Sequence, residues 1–424
     1  MTADDSAAPP RSDTGPGAAR PSAAGAAPAR TAPPSAATLA LAGLAVLLIG
    51  IGFGRFAYTA LVPALIEAGR LTPSSAGYVA AANFAGYLSG ALLSGWVARL
   101  GRLSGVVRLS LAATALAYAA CAVDLGPVWF ALWRFVPGFT GATLMVLVPM
   151  AILAGLPAAR RPGAVGLMFT GIGLGIIFSG TLVPALARLG VASAWLVLAA
   201  LTVLLSALTW KLWTSIALPA PAAPPVGAAS PRRPGGPGPA VVLVFVAYAL
   251  DGAGFVPHTV YWVEYVARAL GLGFGAGGTH WILFGVGAMA GPLLVGRLAG
   301  RFGFGRAFVV ALLLKAAAVG LPLVSSATPA LVVSSLVVGA LTPGTATLAA
   351  GLSAEIAGAA RQRALWGWMT SGFAATQALS ASAFGHLLGA TGSYALLFAT
   401  GAILLAAAAV LAEAGRRLAR PARA

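Results

Sequence analysis

The sequence predicts an all-α membrane protein with twelve transmembrane helices in two pseudo-symmetric six-helix bundles. Three observations predict it. About twelve apolar runs are long enough to cross a bilayer, whose hydrocarbon core takes roughly 20 helical residues. Lys and Arg fall in alternate gaps between those runs. The second half of the chain also echoes the first at a spacing of 200–201 residues.

Composition narrows the class. Hydrophobic residues make up 59% of the chain and charged residues 8%, where soluble domains are roughly a quarter charged. The net charge of +17 does not point to nucleic acid. The basic residues form no single stripe and sit at span ends, where positive charge sets orientation. The one Cys, Cys121, permits no disulfide framework or Cys metal site within the chain. No phosphate-binding G-x-x-x-x-G-K-[ST] loop is present, so the chain is not expected to be an ATP-driven pump on its own. His258, His280 and His386 lack ligand spacing, so neither a metal nor a cofactor is expected.

Residues 1–37 are rich in Ala, Pro, Ser and Gly and read as a disordered cytoplasmic tail. Spans follow at 38–67, 75–97, 104–123, 127–151, 163–187 and 192–215, forming the N-terminal bundle (38–215). The Pro- and Gly-rich stretch 216–239, with Arg232 and Arg233, reads as an extended cytoplasmic linker. The C-terminal bundle (240–413) holds spans at 240–267, 276–299, 305–325, 329–351, 363–388 and 391–413, before a basic tail at 414–424. No short apolar segment with a cleavage site precedes the first span, which is expected to act as its own insertion signal.

Twenty of the 26 Lys and Arg residues fall on one side of this topology. Arg70, Arg188 and Arg268 fall on the other, and Arg55, Arg134 and Lys315 lie within spans. The asymmetry predicts that both termini are cytoplasmic, in the inner (plasma) membrane.

The repeat is visible in three places. Gly95-Trp-Val-Ala-Arg99-Leu-Gly101-Arg102 follows span two, and Gly296-Arg-Leu-Ala-Gly300-Arg301-Phe-Gly303 follows span eight. GFGRFAYT (52–59) matches GAGFVPHT (252–259). Gly166-Leu-Met matches Gly367-Trp-Met. Duplicated six-span halves are a known transporter architecture.

These residues resemble the major facilitator superfamily. Gly95, Arg99, Gly101 and Arg102 resemble its cytoplasmic loop signature, Gly-x-Leu-Ala-Asp-Arg-x-Gly-Arg, with one residue fewer between Gly95 and Arg99. Ala98 replaces the expected Asp, as does Gly300 in the second copy, with Gly296, Arg301 and Gly303 around it. Trp-Arg134-Phe-Val-Pro-Gly138-Phe-Thr-Gly141-Ala142 is similar to the fourth-span pattern. The glycine-rich fifth span lacks the Gly-Pro pair of drug–proton antiporters. GFGRFAYTALVPALIEAG with SAGYVAAANFAGYLSGAL resembles, more narrowly, the YbfB/YjiJ branch. The resemblance implies a central cavity lined by spans 1, 4, 7 and 10 and flanked by spans 2, 5, 8 and 11. It also implies conformational roles for the two loop motifs.

Intramembrane charges are expensive and mark candidate sites. Arg55 lies deep in span one, with Tyr58 on its face. Its guanidinium stays protonated and needs a carboxylate, carbonyls, water or an anionic substrate. The alternative is a structural Arg tying span one to a neighbour. Arg134 in span four has the same two readings. Asp251 and His258 are seven residues apart on one face of span seven. Asp251 is the one acid placed mid-membrane, so proton coupling with His258 as outer relay is one reading, and a charge pair with Arg55 the other. Asn83, Tyr87 and Gln377 fit either substrate contacts or interhelical hydrogen bonds. Trp262, Glu264, Arg268 and His280 read as interfacial anchors at the outer end of spans seven and eight, and Trp366 and Trp368 as anchors at the inner end of span eleven. Lys315, on a span expected to be peripheral, is left to pair with a headgroup or an unidentified neighbour.

The expected function is secondary active transport of a small molecule by alternating access, coupled to protons. An organic anion is favoured over drug or metabolite efflux. A transporter-like sensor or scaffold is the competing class. Expected partners are the substrate, protons and the lipid bilayer, with no nucleic acid and a monomeric state. No enzymatic activity is expected.

Overall fold

The computed structural model describes residues 34–187, 189–216 and 238–419. Most of the expected N-terminal tail, linker and basic C-terminal tail lies outside the described residues.

Twelve long helices follow one another among the described residues. The N-terminal half holds α1 (Ala36–Glu67), α2 (Pro73–Val97), α3 (Leu103–Cys121), α4 (Gly126–Ala154), α5 (Arg161–Ala187) and α6 (Val191–Thr209). The C-terminal half begins with α7 (Pro239–Ala269), α8 (Gly273–Phe302) and α9 (Phe304–Gly320). It continues with α10 (Thr328–Ile356), α11 (residues 357–391) and α12 (Tyr394–Leu418). Side chains cap the starts: Ser35 Oγ accepts from Thr38 N at α1, and Thr72 and Ser75 form a reciprocal capping box at α2, each satisfying otherwise unpaired N–H groups.

Several helix ends shift by a few residues from the sequence expectation, and two differences are larger. No break separates α10 from α11, because the helical bonding pattern runs unbroken from Thr328 to Thr391. The run nevertheless doubles back. Ser335 and Gly385, about 75 Å apart along a straight helix, touch the adjacent residues Trp262 and Tyr261. Helix α12 also continues to Leu418, so the expected tail begins as helix. There Arg416 and Arg417 close on Glu413 at 2.5 and 2.7 Å.

Among the described residues, ten segments are long and apolar enough to cross a membrane by length and composition. Helices α2 and α11 fall outside that set, and these two pack on each other. Polar character is thus withdrawn from lipid to the seam between the halves.

The repeat read from the sequence reappears as matched helix contacts. A Cβ on Gly86, Gly90 or Gly138 would strike the carbonyl oxygens of Phe135, Phe139 and Asn83, respectively, where α2 crosses α4. A Cβ on Gly287, Gly291 or Gly339 would strike those of Leu336, Ala340 and Phe284, where α8 crosses α10. Every position in the second set is the first plus 201. The register holds across the seam too: Gly77 lies against Ala381 O, and Gly278 against Gly180 O. In lipid, where packing rather than water expulsion drives helix association, small residues make such approaches possible.

The halves are latched at the end away from the Arg99–Arg102 and Arg297–Arg301 turns. Thr59 Oγ1 donates to Thr259 O, Tyr261 OH to Pro73 O at 3.3 Å, and Arg268 Nη1 to Pro63 O at 3.4 Å. Phe56 packs on Trp281 and Phe284 of α8. At the basic end, Gly95, Gly166, Gly296 and Gly367 have nothing within 4 Å of where a Cβ would sit.

The crossings make a stability prediction. Gly291→Ala drives a methyl into the α10 backbone and is expected to cost about 1–3 kcal/mol, the usual penalty of overpacking. Gly105→Ala, in open space, is expected to leave melting unchanged. Thermal melting of both purified variants checks the contrast.

Candidate functional site

The site begins with the backbone of α1. From Leu48 to Phe56 this helix widens into π-helical turns, a geometry that is rare and frequent at functional sites. Widening leaves carbonyls to be satisfied, since lipid offers them no donors. Gly54 O accepts from Arg134 Nη2 at 2.7 Å and from Asn83 Nδ2 at 3.2 Å. Ile49 O accepts from Tyr118 OH at 3.2 Å. Asn83 Nδ2 also donates to Arg134 O at 2.8 Å, closing a knot of α1, α2 and α4. Arg134 is fully buried, with its guanidinium over the rings of Tyr58 (5.0 Å) and Trp195 (5.7 Å). Tyr58 is buried as well, and its hydroxyl donates to Ala76 O at 2.9 Å.

Arg55 follows Gly54 directly and is placed differently. It is partly exposed. Among the described residues it makes no ion pair or hydrogen bond, and its Nε is unpartnered. Aromatic rings surround the charge instead: Phe84 at 4.7 Å, Phe56 at 5.5 Å and Tyr87 at 5.7 Å from Cζ. Tyr87 is half-buried beside it. In the other half, Tyr248 stacks on Phe373 at 4.7 Å and packs on Trp366 at 5.7 Å.

In the C-terminal half, Lys315 Nζ meets Asp251 Oδ1 at 2.7 Å, and both side chains are fully buried. Thr345 Oγ1 donates to Asp251 Oδ2 at 2.7 Å, and Lys315 lies 4.0 Å from the centre of the Phe255 ring. This triad joins α7, α9 and α10. The partner of Asp251 is therefore Lys315, where the sequence offered Arg55, and Lys315 has a protein partner rather than a headgroup.

His258 is buried above this triad. Its Nε2 lies 2.8 Å from Ser334 Oγ, and Ser334 Oγ donates to Ala318 O at 2.7 Å. The serine proton being spent there, the network assigns Nε2 as the donor. Nδ1 is then a bare acceptor, and it has no partner. The imidazole stacks on Trp262 at 4.3 Å. Trp262, Glu264 and His280 are packed inside the bundle rather than at an interface. Trp262 Nε1 donates to Ser335 Oγ at 3.0 Å, and Tyr394 OH donates to Glu264 Oε1 at 3.3 Å. Gln377 is buried with Nε2 unpartnered.

Of the expected cavity residues, Arg55 and Tyr87 are thus the partly exposed ones. Tyr58, Asn83, Arg134, Asp251, His258 and Gln377 are buried. Among the loop-motif residues Gly95, Arg99, Gly101, Arg102, Gly296, Arg301 and Gly303 are exposed, and Gly303 takes φ +79°. The sequence reasoning missed the Lys315–Asp251 pair. Its signal was present: one mid-membrane carboxylate for three mid-membrane cations. No described group of three or more His, Cys, Asp or Glu residues is arranged to hold a metal ion.

Residues 47–413 match the family described as "Uncharacterised MFS-type transporter YbfB". No curated protein matches the chain. Among solved structures, the fold is similar to a bacterial homologue of the human lysosomal transporter Spinster, inward-facing and unoccupied. That match has TM-score 0.68 and 14% identity, covering 93% of this chain and all of that one. The nucleoside transporter NupG gives TM-score 0.69 at 15% identity over 90% of this chain and 99% of that one. A D-xylose–proton symporter gives TM-score 0.66 at 18% identity over 89% and 96%.

The buried pair carries its own prediction. Lys315→Met leaves Asp251 uncompensated and is expected to cost about 3–5 kcal/mol. Asp251→Asn with Lys315→Met removes both charges and is expected to recover most of that loss. Melting of the single and double variants in detergent decides it; a double variant no more stable than Lys315→Met would show that the pair itself is needed.

Proposed function

Since the chain belongs to the YbfB-type family of the major facilitator superfamily, and so is a multi-pass membrane transporter, we propose that it moves a small organic anion by alternating access, driven by protons. Arg55 carries this reading. A guanidinium stays charged at any physiological pH, and this one is partly exposed beside an aromatic surface with no carboxylate on it. An isolated intramembrane charge is costly and marks a substrate path. An anion at Arg55 supplies the missing counter-charge, and the planar fork accepts a carboxylate through two parallel hydrogen bonds. The latch at one end of the seam and the open glycines at the other suit a state loaded from the basic end.

Proton coupling rests on Asp251 and His258. A proton on Asp251 cancels the pair with Lys315 and loosens the tie among α7, α9 and α10. His258, on the same helix, presents an unpartnered Nδ1 to a second proton. Both side chains reach α10, through Thr345 and Ser334, so either protonation acts on the same helix pair. The charge asymmetry of the sequence supports a cytoplasmic basic end with both termini on that side, in a protein of the plasma membrane.

Three measurements test this reading. A thermal-shift screen of small carboxylates, amines and neutral metabolites is expected to find stabilisation by a carboxylate. Arg55→Ala is expected to weaken that ligand at least about tenfold, the equivalent of 1.4 kcal/mol, while melting nearly as wild type. Arg55→Lys is not expected to restore it fully, because Lys lacks the fork. An Arg55→Ala protein with unchanged affinity removes Arg55 from the site. In vesicles, the Asp251→Asn/Lys315→Met variant is expected to lose gradient-driven accumulation yet retain substrate exchange. Accumulation at the wild-type level argues against coupling through Asp251. Reporter fusions after Pro219 are expected to read cytoplasmic, and fusions between Glu67 and Pro73 external.

A further inference from the structure

A second site lies on the outer wall of the N-terminal half, away from the seam. At the basic end, the first turns of α1 and α3 and the last turn of α6 enclose a groove of about 710 Å³. Leu111, Ala115, Val203 and Leu208 make its walls apolar, and Arg108 and Lys211 stand at its mouth. Arg108 lies five residues into α3, about 8 Å along the axis, the depth at which headgroups meet acyl chains.

The groove is built around Arg108. Trp210 covers one face of its guanidinium at 4.3 Å, and Nη2 donates to Trp210 O at 2.7 Å. Its Nε is buried without a partner. Among the described residues neither Arg108 nor Lys211 has a carboxylate partner. The other half treats the equivalent place differently. With α3 beginning at Leu103 and α9 at Phe304, Val309 stands where Arg108 does. The cations at the end of α12 are neutralised by Glu413. Two uncompensated cations over an apolar slot are therefore particular to the N-terminal half.

The geometry points to a binding site for one anionic phospholipid, with its phosphate between Arg108 and Lys211 and an acyl chain against Leu111 and Val203. A zwitterionic lipid brings its own cation and leaves the two basic groups uncompensated, so the site discriminates by headgroup charge. The assignment does not depend on what the central cavity transports.

Native mass spectrometry of the full chain, released from detergent containing phosphatidylglycerol or phosphatidylcholine of equal chain length, tests it. Wild-type protein is expected to retain one phosphatidylglycerol under conditions that strip phosphatidylcholine. Arg108→Gln/Lys211→Gln is expected to reduce that retention about tenfold or more, the loss of roughly two charge contacts. Lys211→Gln alone changes an exposed side chain, so it remains informative if the double variant does not fold; it is expected to lose part of the retention. Arg306→Gln, an exposed cation at the same end of the C-terminal half, is expected to retain the lipid fully. Equal retention of the two lipids by wild type, or undiminished retention by Lys211→Gln, overturns the assignment.

Discussion

A single backbone oxygen, that of Gly54, organises the N-terminal half. Membrane interiors hold no water to satisfy an exposed carbonyl, so the widened turns of α1 require donors from other helices. Arg134 from α4 and Asn83 from α2 supply them. Three helices are thereby fixed at one point, and the next residue, Arg55, is left with its charge unspent. Two arginines that look alike in composition thus divide between them the tasks of holding the helix and presenting a charge.

The C-terminal half solves the same problem with different chemistry. Its α7 also widens, at Pro257–Tyr261 and Tyr265–Ala269; there Thr59 of α1 donates to Thr259 O, and serines of α10 hold α7 through its side chains. Ser334 holds His258 and Ser335 holds Trp262. The charge here is closed on itself as Lys315–Asp251. In the other half, Thr114 stands 201 residues before Lys315 and makes a neutral contact with Thr140 at 2.7 Å. The pseudo-symmetric scaffold therefore carries an open cation on one side and a neutralised pair on the other. That asymmetry suits separate handling of substrate and proton.

Much of this was legible in the sequence. Span positions follow from bilayer thickness, and the offset read from Gly95/Gly296 and Gly166/Gly367 reappears in other glycines at the helix crossings. Arg55 and Asp251 were legible as exceptions to apolar composition. Their partners were not. The contact between Lys315 and Asp251 joins helices 64 residues apart, and hydropathy carries no information about which faces of α7 and α9 meet. Arg134 was equally ambiguous, because a backbone carbonyl as its partner leaves no mark in the side-chain pattern. The reversal between α10 and α11 was legible as the gap between two apolar spans, but the helical character of its turn was not, since hydropathy does not report backbone bonding.

The numbering of the matched contacts has a consequence for how such a chain tolerates change. Thr59 and Thr259, which touch across the seam, are 200 apart, whereas every matched pair from Gly77·Gly278 to Gly180·Ala381 is 201 apart. The one-residue slip falls between residues 59 and 77, an interval whose counterpart, 259–278, holds both the turn after α7 and the widened segment Tyr265–Ala269. An insertion within a helix would rotate every later side chain by about 100° and carry the crossing glycines off their carbonyls. An insertion in a turn costs little. Grafted epitopes or circular permutations of this chain therefore belong at its turns, where no helical register is disturbed.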